Sequence, residues 1–348
     1  MTSLVVRLDS AGDVLLAGPA IRAVASHSER VVLLCGPRGE EAARLLPGVD
    51  EIIVWHCPWV VADPPAVEAA DVQDVVRRIA AIRADAAVIF TSYHQDPLPT
   101  ALVLRLAGVP RITAVSEDYP GSLLDVRHRL AEHGLHEVER MLSLAAAAGC
   151  PLPRGDDGRL ALRGPLPDCS AWTDRGPYVV VHPGASVPAR AWSPERNADL
   201  VSRLAATRRV LVTGGPDECS LTAFVAGEAG TDLGGRLDLA QLAAVLAGAE
   251  AVVVGNTGPA HLAAAVGTPV VSLFSPVVPA ERWRPFGVPA VLLGDQSEAC
   301  AGSRARTCPV PAHPCLDGVG VDDAIAAVER LTATCEPSRP RATAEVGR

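Results

Sequence analysis

The chain has 348 residues, room for two domains of ordinary size. Its 49% hydrophobic and 20% charged content excludes a largely disordered, collagen-like or coiled-coil protein. All 31 basic residues are arginine, and the net charge is −9. Such a chain offers no electrostatic footprint for nucleic acid or an anionic membrane surface, so any anionic ligand must be met by local groups.

Aromatic residues make up only 3%, so the core must be built from Ala, Val and Leu, which suits parallel sheets under closely packed helices. In chain order, Leu4–Leu8 reads as a strand, followed by a loop through Gly12 and a helix over Asp13–Ser26. The opening apolar run is interrupted by Arg7, Asp9 and Asp13, unlike an export signal. No uncharged apolar run of about 18 residues occurs anywhere, so no transmembrane segment is expected. Without a leader, the nine cysteines read as reduced thiols of a cytoplasmic protein. Val31–Leu34 and Glu51–Trp55 follow as strands, Pro65–Ala84 as a helix, Ala86–Phe90 as a strand and His136–Ala148 as a helix closed by Gly149.

Between Pro151 and Pro177 the chain turns to Pro, Gly, Asp and Arg without periodicity, the mark of a domain boundary. The second half restarts with the strand Tyr178–His182. A helix over Pro194–Ala206 follows, with Ser193 at its N-cap and Pro194 at its first position. Arg209–Thr213, Ala251–Gly255 and Val270–Phe274 are further strands, and Asp322–Thr332 is a last helix. Apolar runs spaced by helical patterns imply parallel strands with crossover helices. The expectation is an α/β protein of two Rossmann-like, doubly wound parallel-sheet domains, 1–165 and 166–335, with a disordered tail over 336–348.

Ligands of such sheets bind at the carboxyl ends of strands, which directs attention to four loops. Arg7-Leu-Asp-Ser-Ala-Gly-Asp13 lacks the phosphate-binding glycine pattern. Asp13 there reads either as a helix cap or as a general base facing a substrate hydroxyl. Gly255-Asn-Thr-Gly-Pro-Ala-His261 opens a helix at Pro259. It is either an ordinary strand-to-helix turn or a diphosphate site made of free N–H groups, with Thr257 adding a hydroxyl. His182-Pro-Gly-Ala-Ser186 leads to Arg190, a surface arginine or a bidentate phosphate partner. Thr213-Gly-Gly-Pro-Asp-Glu218 offers carboxylates that favour a helix N-terminus or accept from a ribose diol. Taken together, three of these loops describe a nucleotide-diphosphate pocket in the second half.

Five segments carry a family resemblance, in order: Leu4–Arg22, His136-Glu-Val-Glu-Arg140, His182–Trp192, Thr213–Glu218 and Asn256-Thr-Gly-Pro-Ala-His-Leu-Ala-Ala-Ala-Val-Gly-Thr-Pro269. Over residues 4–331 the chain resembles glycosyltransferase family 9, the ADP-heptose heptosyltransferases. The resemblance implies a GT-B fold, with an acceptor domain first, a nucleotide-sugar domain second, and reaction in the cleft between them. It implies inverting, metal-independent transfer from a nucleotide-diphospho-sugar, ADP-heptose above all, with no cofactor.

By the same resemblance, Asp13 falls on the general base and Arg190 where the family usually has a lysine at the leaving diphosphate. Ser186, Glu218, Leu237, Asn256, Thr257, Gly258 and His261 fall around the donor, with Glu218 for the ribose and Leu237 for the base. Gly12, His136 and Arg140 are the acceptor-side candidates, within a region that includes Ser92–Gln95 and Tyr119–Arg140. Asn256 departs from the family's usual aspartate, which puts the donor's identity in question.

The acceptor is a saccharide, a lipid-linked glycan or a small-molecule aglycone. A lipid acceptor would bring the protein to the inner membrane surface. A transferase using another nucleotide-sugar, a nucleotide-sugar epimerase and a non-catalytic nucleotide-sugar binding protein stand as alternatives. Cys300, Cys308 and Cys315 with His313 could in principle ligate zinc, but their spacing is not that of a zinc ribbon, and no metal site is expected.

Overall fold

A computed structural model describes residues 1–61, 63–130 and 134–333; the expected tail lies outside the described residues. The chain divides into two compact units, Met1–Leu162 and a second that begins at Arg163.

The first unit holds a six-stranded parallel sheet: β1 (Thr2–Arg7), β2 (Arg30–Cys35), β3 (Glu51–Val54), β4 (Ala86–Ile89), β5 (Ile112–Val115) and β6 (Val126–His128). Their order is β3-β2-β1-β4-β5-β6. The second unit repeats the plan with β7 (Tyr178–His182), β8 (Arg209–Val212), β9 (Thr231–Asp232), β10 (Ala251–Gly255), β11 (Val270–Leu273) and β12 (Ala290–Leu293). These are ordered β12-β11-β10-β7-β8-β9, again all parallel. Each sheet reverses its winding at its centre, between β1 and β4 in one and between β7 and β10 in the other. That is the switch point at which open α/β sheets offer a ligand crevice beyond the strand ends.

The central strands are apolar throughout because helices cover both faces: β1, β2, β7 and β10 are buried almost end to end. Small aliphatics dominate both cores, as the composition requires. Leu4, Val6, Val32, Leu34 and Ile89 from the first sheet pack on Ile79 of a covering helix. That helix, Ala69–Ile82, buries Val75, Ile79 and Ile82 at helical spacing. Full burial of such side chains stabilises by about 1.5–3 kcal/mol each.

The structure departs from the sequence expectation at several boundaries. The first helix does not run unbroken over Asp13–Ser26: it begins at Ala11 and yields at Ala17 to a second helix, Gly18–Ala25. Pro19 sits in the first turn of the second helix, where its missing N–H costs nothing; inside one long helix it would break the ladder. The helix expected from Pro65 starts only at Ala69. Ser193 caps its helix as expected, accepting from the Arg196 N–H at 3.2 Å. The strands β5, β6, β9 and β12 and the helix Leu98–Leu106 add elements that the reading of apolar runs passed over. Among the described residues, no helix is long and apolar enough to cross a membrane.

Candidate active site

The candidate residues form two groups, one at the switch point of each sheet. In the first unit the group is centred on Arg7, the last residue of β1. Its guanidinium is fully buried. Nη2 donates to Asp13 Oδ1 and to Ser92 Oγ, each at 3.1 Å, and Nε lies 3.3 Å from Asp9 Oδ2. Ser92 is brought there by β4, the neighbour of β1 across the switch point. Asp13 sits within the first turn of the helix Ala11–Leu16, beside the buried Gly12, and is not the residue before it. It therefore does not act as the N-cap that one sequence reading allowed. Its second oxygen accepts from Ser10 Oγ at 2.7 Å, and its side chain keeps 21% exposure. The carboxylate is thus held by Arg7 and Ser10 while its side chain stays partly exposed.

The helix Glu137–Ala147 contributes further charges. Arg140 is buried, donates to the Thr91 carbonyl and lies 3.6 Å from the buried Glu137. Burial lowers the pKa of Arg7, but Asp9, Asp13 and Glu137 outweigh it and hold the guanidinium above its ordinary value. Asp9 accepts from Gln95 Nε2. Burial raises its pKa by more than Arg7 lowers it. His136 serves its own helix: its Nδ1 accepts from the Val138 N–H at 3.2 Å, and Glu139 accepts from the His136 N–H. Arg7, Asp9, Ser92 and Gln95 carry this group; the sequence reading points to the Arg7–Asp13 loop and the Ser92–Gln95 region, but gives none of these four a role of its own. The available signal was a charged residue ending an otherwise apolar strand.

In the second unit the loops after β7, β8 and β10 converge because these strands are neighbours. The helix Gly258–Ala265 starts directly after β10, with Pro259 in its first turn and Thr257 before it. Thr257 Oγ1 is buried and has no hydrogen-bond partner among the described residues. A buried hydroxyl in that condition costs free energy unless something else satisfies it. Arg190 ends the short turn Pro188–Arg190, and its Nη1 donates to the Asn256 carbonyl at 3.4 Å. The approach is close: a Cβ on Gly255 would lie 2.9 Å from the Arg190 carbonyl oxygen. His261 lies buried on the same helix as Gly258.

Glu218 Oε2 accepts from the Gly215 N–H at 2.8 Å and lies 3.8 Å from His182 Nε2. His182 Nδ1 meets Thr213 Oγ1 at 3.0 Å. Burial holds the imidazole below its ordinary pKa against the opposing pull of Glu218. Ser186 is exposed in the loop after β7, and Leu237 is half-buried ahead of the helix Leu239–Ala247.

Asn256 is nearly buried and turned away from a free role. Its Nδ2 donates to the Ser275 carbonyl and its Oδ1 accepts from the Ser275 N–H, both at 3.3 Å. The amide thereby ties the end of β10 to the end of β11. The cysteine loop also acquires a structural role. The Ala189 N–H donates to the Arg306 carbonyl at 2.9 Å, His313 Nε2 lies 3.1 Å from the Ala189 carbonyl, and Cys300 packs against Ala189. The loop thus backs the turn that carries Arg190. Among the described residues, no group of three or more His, Cys, Asp or Glu is arranged to hold a metal ion.

Residues 75–313, more than half of the chain, match the profile of glycosyltransferase family 9 (heptosyltransferase). The chain belongs to this family. It is 31% identical over 116 residues to lipopolysaccharide heptosyltransferase 3 of Escherichia coli, covering 31% of this chain and 34% of that protein. It is 33% identical over 181 residues to lipopolysaccharide heptosyltransferase 1 of Pseudomonas aeruginosa, covering 50% of this chain and 49% of that one. The similarity thus spans about a third to a half of these curated relatives. The fold matches that of E. coli ADP-heptose lipopolysaccharide heptosyltransferase II with a TM-score of 0.73, at 18% identity over 96% of this chain and 99% of the other. This family 9 likeness gives the two sheets their GT-B architecture.

Proposed function

We propose that this glycosyltransferase family 9 protein moves a heptose from ADP-heptose to an acceptor hydroxyl with inversion and without a metal. The second unit would bind the donor and the first the acceptor. The observation that carries the reading is the strand-end site after β7 and β10. There a buried hydroxyl with no partner among the described residues (Thr257), a helix N-terminus and an arginine gather in a chain of net negative charge. Such a set suits a diphosphate, whose oxygens complete the donors the fold leaves open.

In the proposed reaction, the Asp13 carboxylate takes the proton of the acceptor hydroxyl as its oxygen attacks the anomeric carbon. The bond from that carbon to the diphosphate breaks, and its electron pair leaves on a phosphate oxygen. Arg190 and the N–H groups at Gly258 stabilise that charge where it develops. In this reading Glu218 accepts from the ribose hydroxyls, Ser186, Leu237 and His261 line the nucleotide, and Gly12, His136 and Arg140 lie on the acceptor side. The acceptor is a saccharide, a lipid-linked glycan or a small-molecule aglycone. We set the reaction in the cytoplasm, and the free thiols of the eight described cysteines suit a reducing compartment.

Calorimetric titration with ADP, UDP, GDP and dTDP tests the donor assignment. Preferential binding of ADP supports ADP-heptose, while preference for another nucleotide moves the donor and leaves the transferase reading standing. Asp13→Asn tests the base. Turnover should fall about 10²–10⁴-fold, the range of general-base catalysis, with ADP affinity kept. Unchanged turnover in that variant would remove Asp13 from the mechanism.

A further inference from the structure

A general base must be both ionised and aimed, and the sequence-stated candidates contain nothing that does either for Asp13. The structure does. We propose that Arg7 is the positioning residue of the Asp13 base: its buried guanidinium fixes the carboxylate by holding Asp13 and Ser92 with the same nitrogen, and keeps it charged. The proposal rests on the reading of Asp13 as base.

Three observations carry it. Arg7 is fully buried at the end of β1, whereas Asp13 retains 21% exposure. The cation therefore stays clear of solvent and substrate, while the carboxylate it holds remains reachable. Arg7 Nη2 makes both its bonds at 3.1 Å, one to Asp13 and one to Ser92 in the loop that leaves the adjacent β4. The anchor for Asp13 is thus the centre of the sheet rather than its own short helix. Finally, Ser10 Oγ donates to the other carboxylate oxygen at 2.7 Å, so that both oxygens accept and the plane of the carboxyl group is fixed.

The charges around the pair explain why a guanidinium is needed. Asp9 lies beside Arg7 Nε on the loop leaving β1, and Glu137 and Arg140 come from the helix Glu137–Ala147. Gln95 adds a neutral donor to Asp9. Arg7 faces Asp9, Asp13 and Glu137, so a neutral side chain in its place would remove the cation in direct contact with both Asp9 and Asp13. A cation in contact with a carboxylate typically lowers its pKa by about 1–3 units, so losing Arg7 should show as a displaced titration of Asp13. A lysine would return the charge, but its ammonium lacks the planar fork that reaches Asp9, Asp13 and Ser92 together.

The test is a carbon-13 NMR titration of the aspartate side-chain carboxyls in the full chain, with the Asp13 signal assigned by its loss in Asp13→Asn. Turnover of ADP-heptose with water as acceptor is followed in parallel. In Arg7→Met the Asp13 midpoint should rise by about one pH unit or more, with turnover at neutral pH falling at least tenfold. Arg7→Lys should restore the midpoint towards wild type while turnover stays reduced. Should Arg7→Met fail to fold, Arg7→Gln is neutral, can still reach Ser92, and should move the midpoint in the same direction. A midpoint unmoved in a folded neutral variant overturns the proposal even if turnover is lost, because a purely structural role would lower activity without touching the titration. Full turnover in Asp13→Asn instead overturns the base reading, whatever Arg7 does.

Discussion

The amide of Asn256 offers a quantitative check on how the loops after β10 and β11 are held. It both donates to and accepts from the Ser275 backbone at 3.3 Å, and the two residues are 6% and 0% exposed. Asn256→Asp preserves shape but removes the donor. The ionised carboxylate would set an oxygen against the Ser275 carbonyl and leave that buried acceptor unsatisfied, a cost of about 1–3 kcal/mol. Arg190, whose Nη1 reaches the Asn256 carbonyl at 3.4 Å, offsets part of it, so a loss of about 2 kcal/mol is expected. In a domain of this size that corresponds to a fall of about 4–8 °C in the second unit's Tm at pH 8.

The pH dependence gives the sharper test. Burial raises the folded-state pKa of the introduced acid above its unfolded value of about 3.9. Below that value the carboxyl is protonated in both states and can still donate to Ser275, so the deficit is small. As pH rises, the unfolded chain ionises first, and the deficit grows until the folded group ionises as well. Differential scanning calorimetry of wild type and variant at pH 4 and pH 8 measures this. Equal Tm values at pH 8 would refute the bracing role, and an equal deficit at both pH values would show that charge is not its cause.

Two further substitutions separate binding from stability. Thr257→Val removes a buried hydroxyl that has no partner among the described residues. Thermal stability should hold or rise slightly, while ADP binding weakens about 3–10-fold, the worth of a hydrogen bond, as read by calorimetry. Gly184→Ala places a Cβ 2.0 Å from Glu218 Oε1 and must push the flexible carboxylate off the Gly215 N–H. Stability should change by less than about 1 kcal/mol, nucleotide affinity should fall, and unaltered affinity would detach Glu218 from the ribose.

The amino-acid sequence by itself determined the repeating strand and helix pattern, because a buried parallel strand must be apolar along its whole length. It marked the turn into Gly258–Ala265, where Pro259 and the residues before it have few conformations to choose from. It also located Asp13, Arg190 and Glu218 at strand ends, since loops in this fold class leave sheets at defined places. Element boundaries were less legible: the break at Ala17 depended on whether Pro19 would kink one helix or start another.

What only the tertiary structure decided was which side chains meet. Arg7 and Ser92 are 85 residues apart and become partners because β1 lies next to β4 at the switch point. Asn256 finds Ser275 through the pairing of β10 with β11, a contact that its local sequence does not announce. The Pro- and Arg-rich cysteine loop has no role that its sequence reveals, and it settles behind Arg190 through its backbone. Local sequence sets torsion preferences and apolar period. The partners of a buried polar group are set by strand order, which no local pattern encodes.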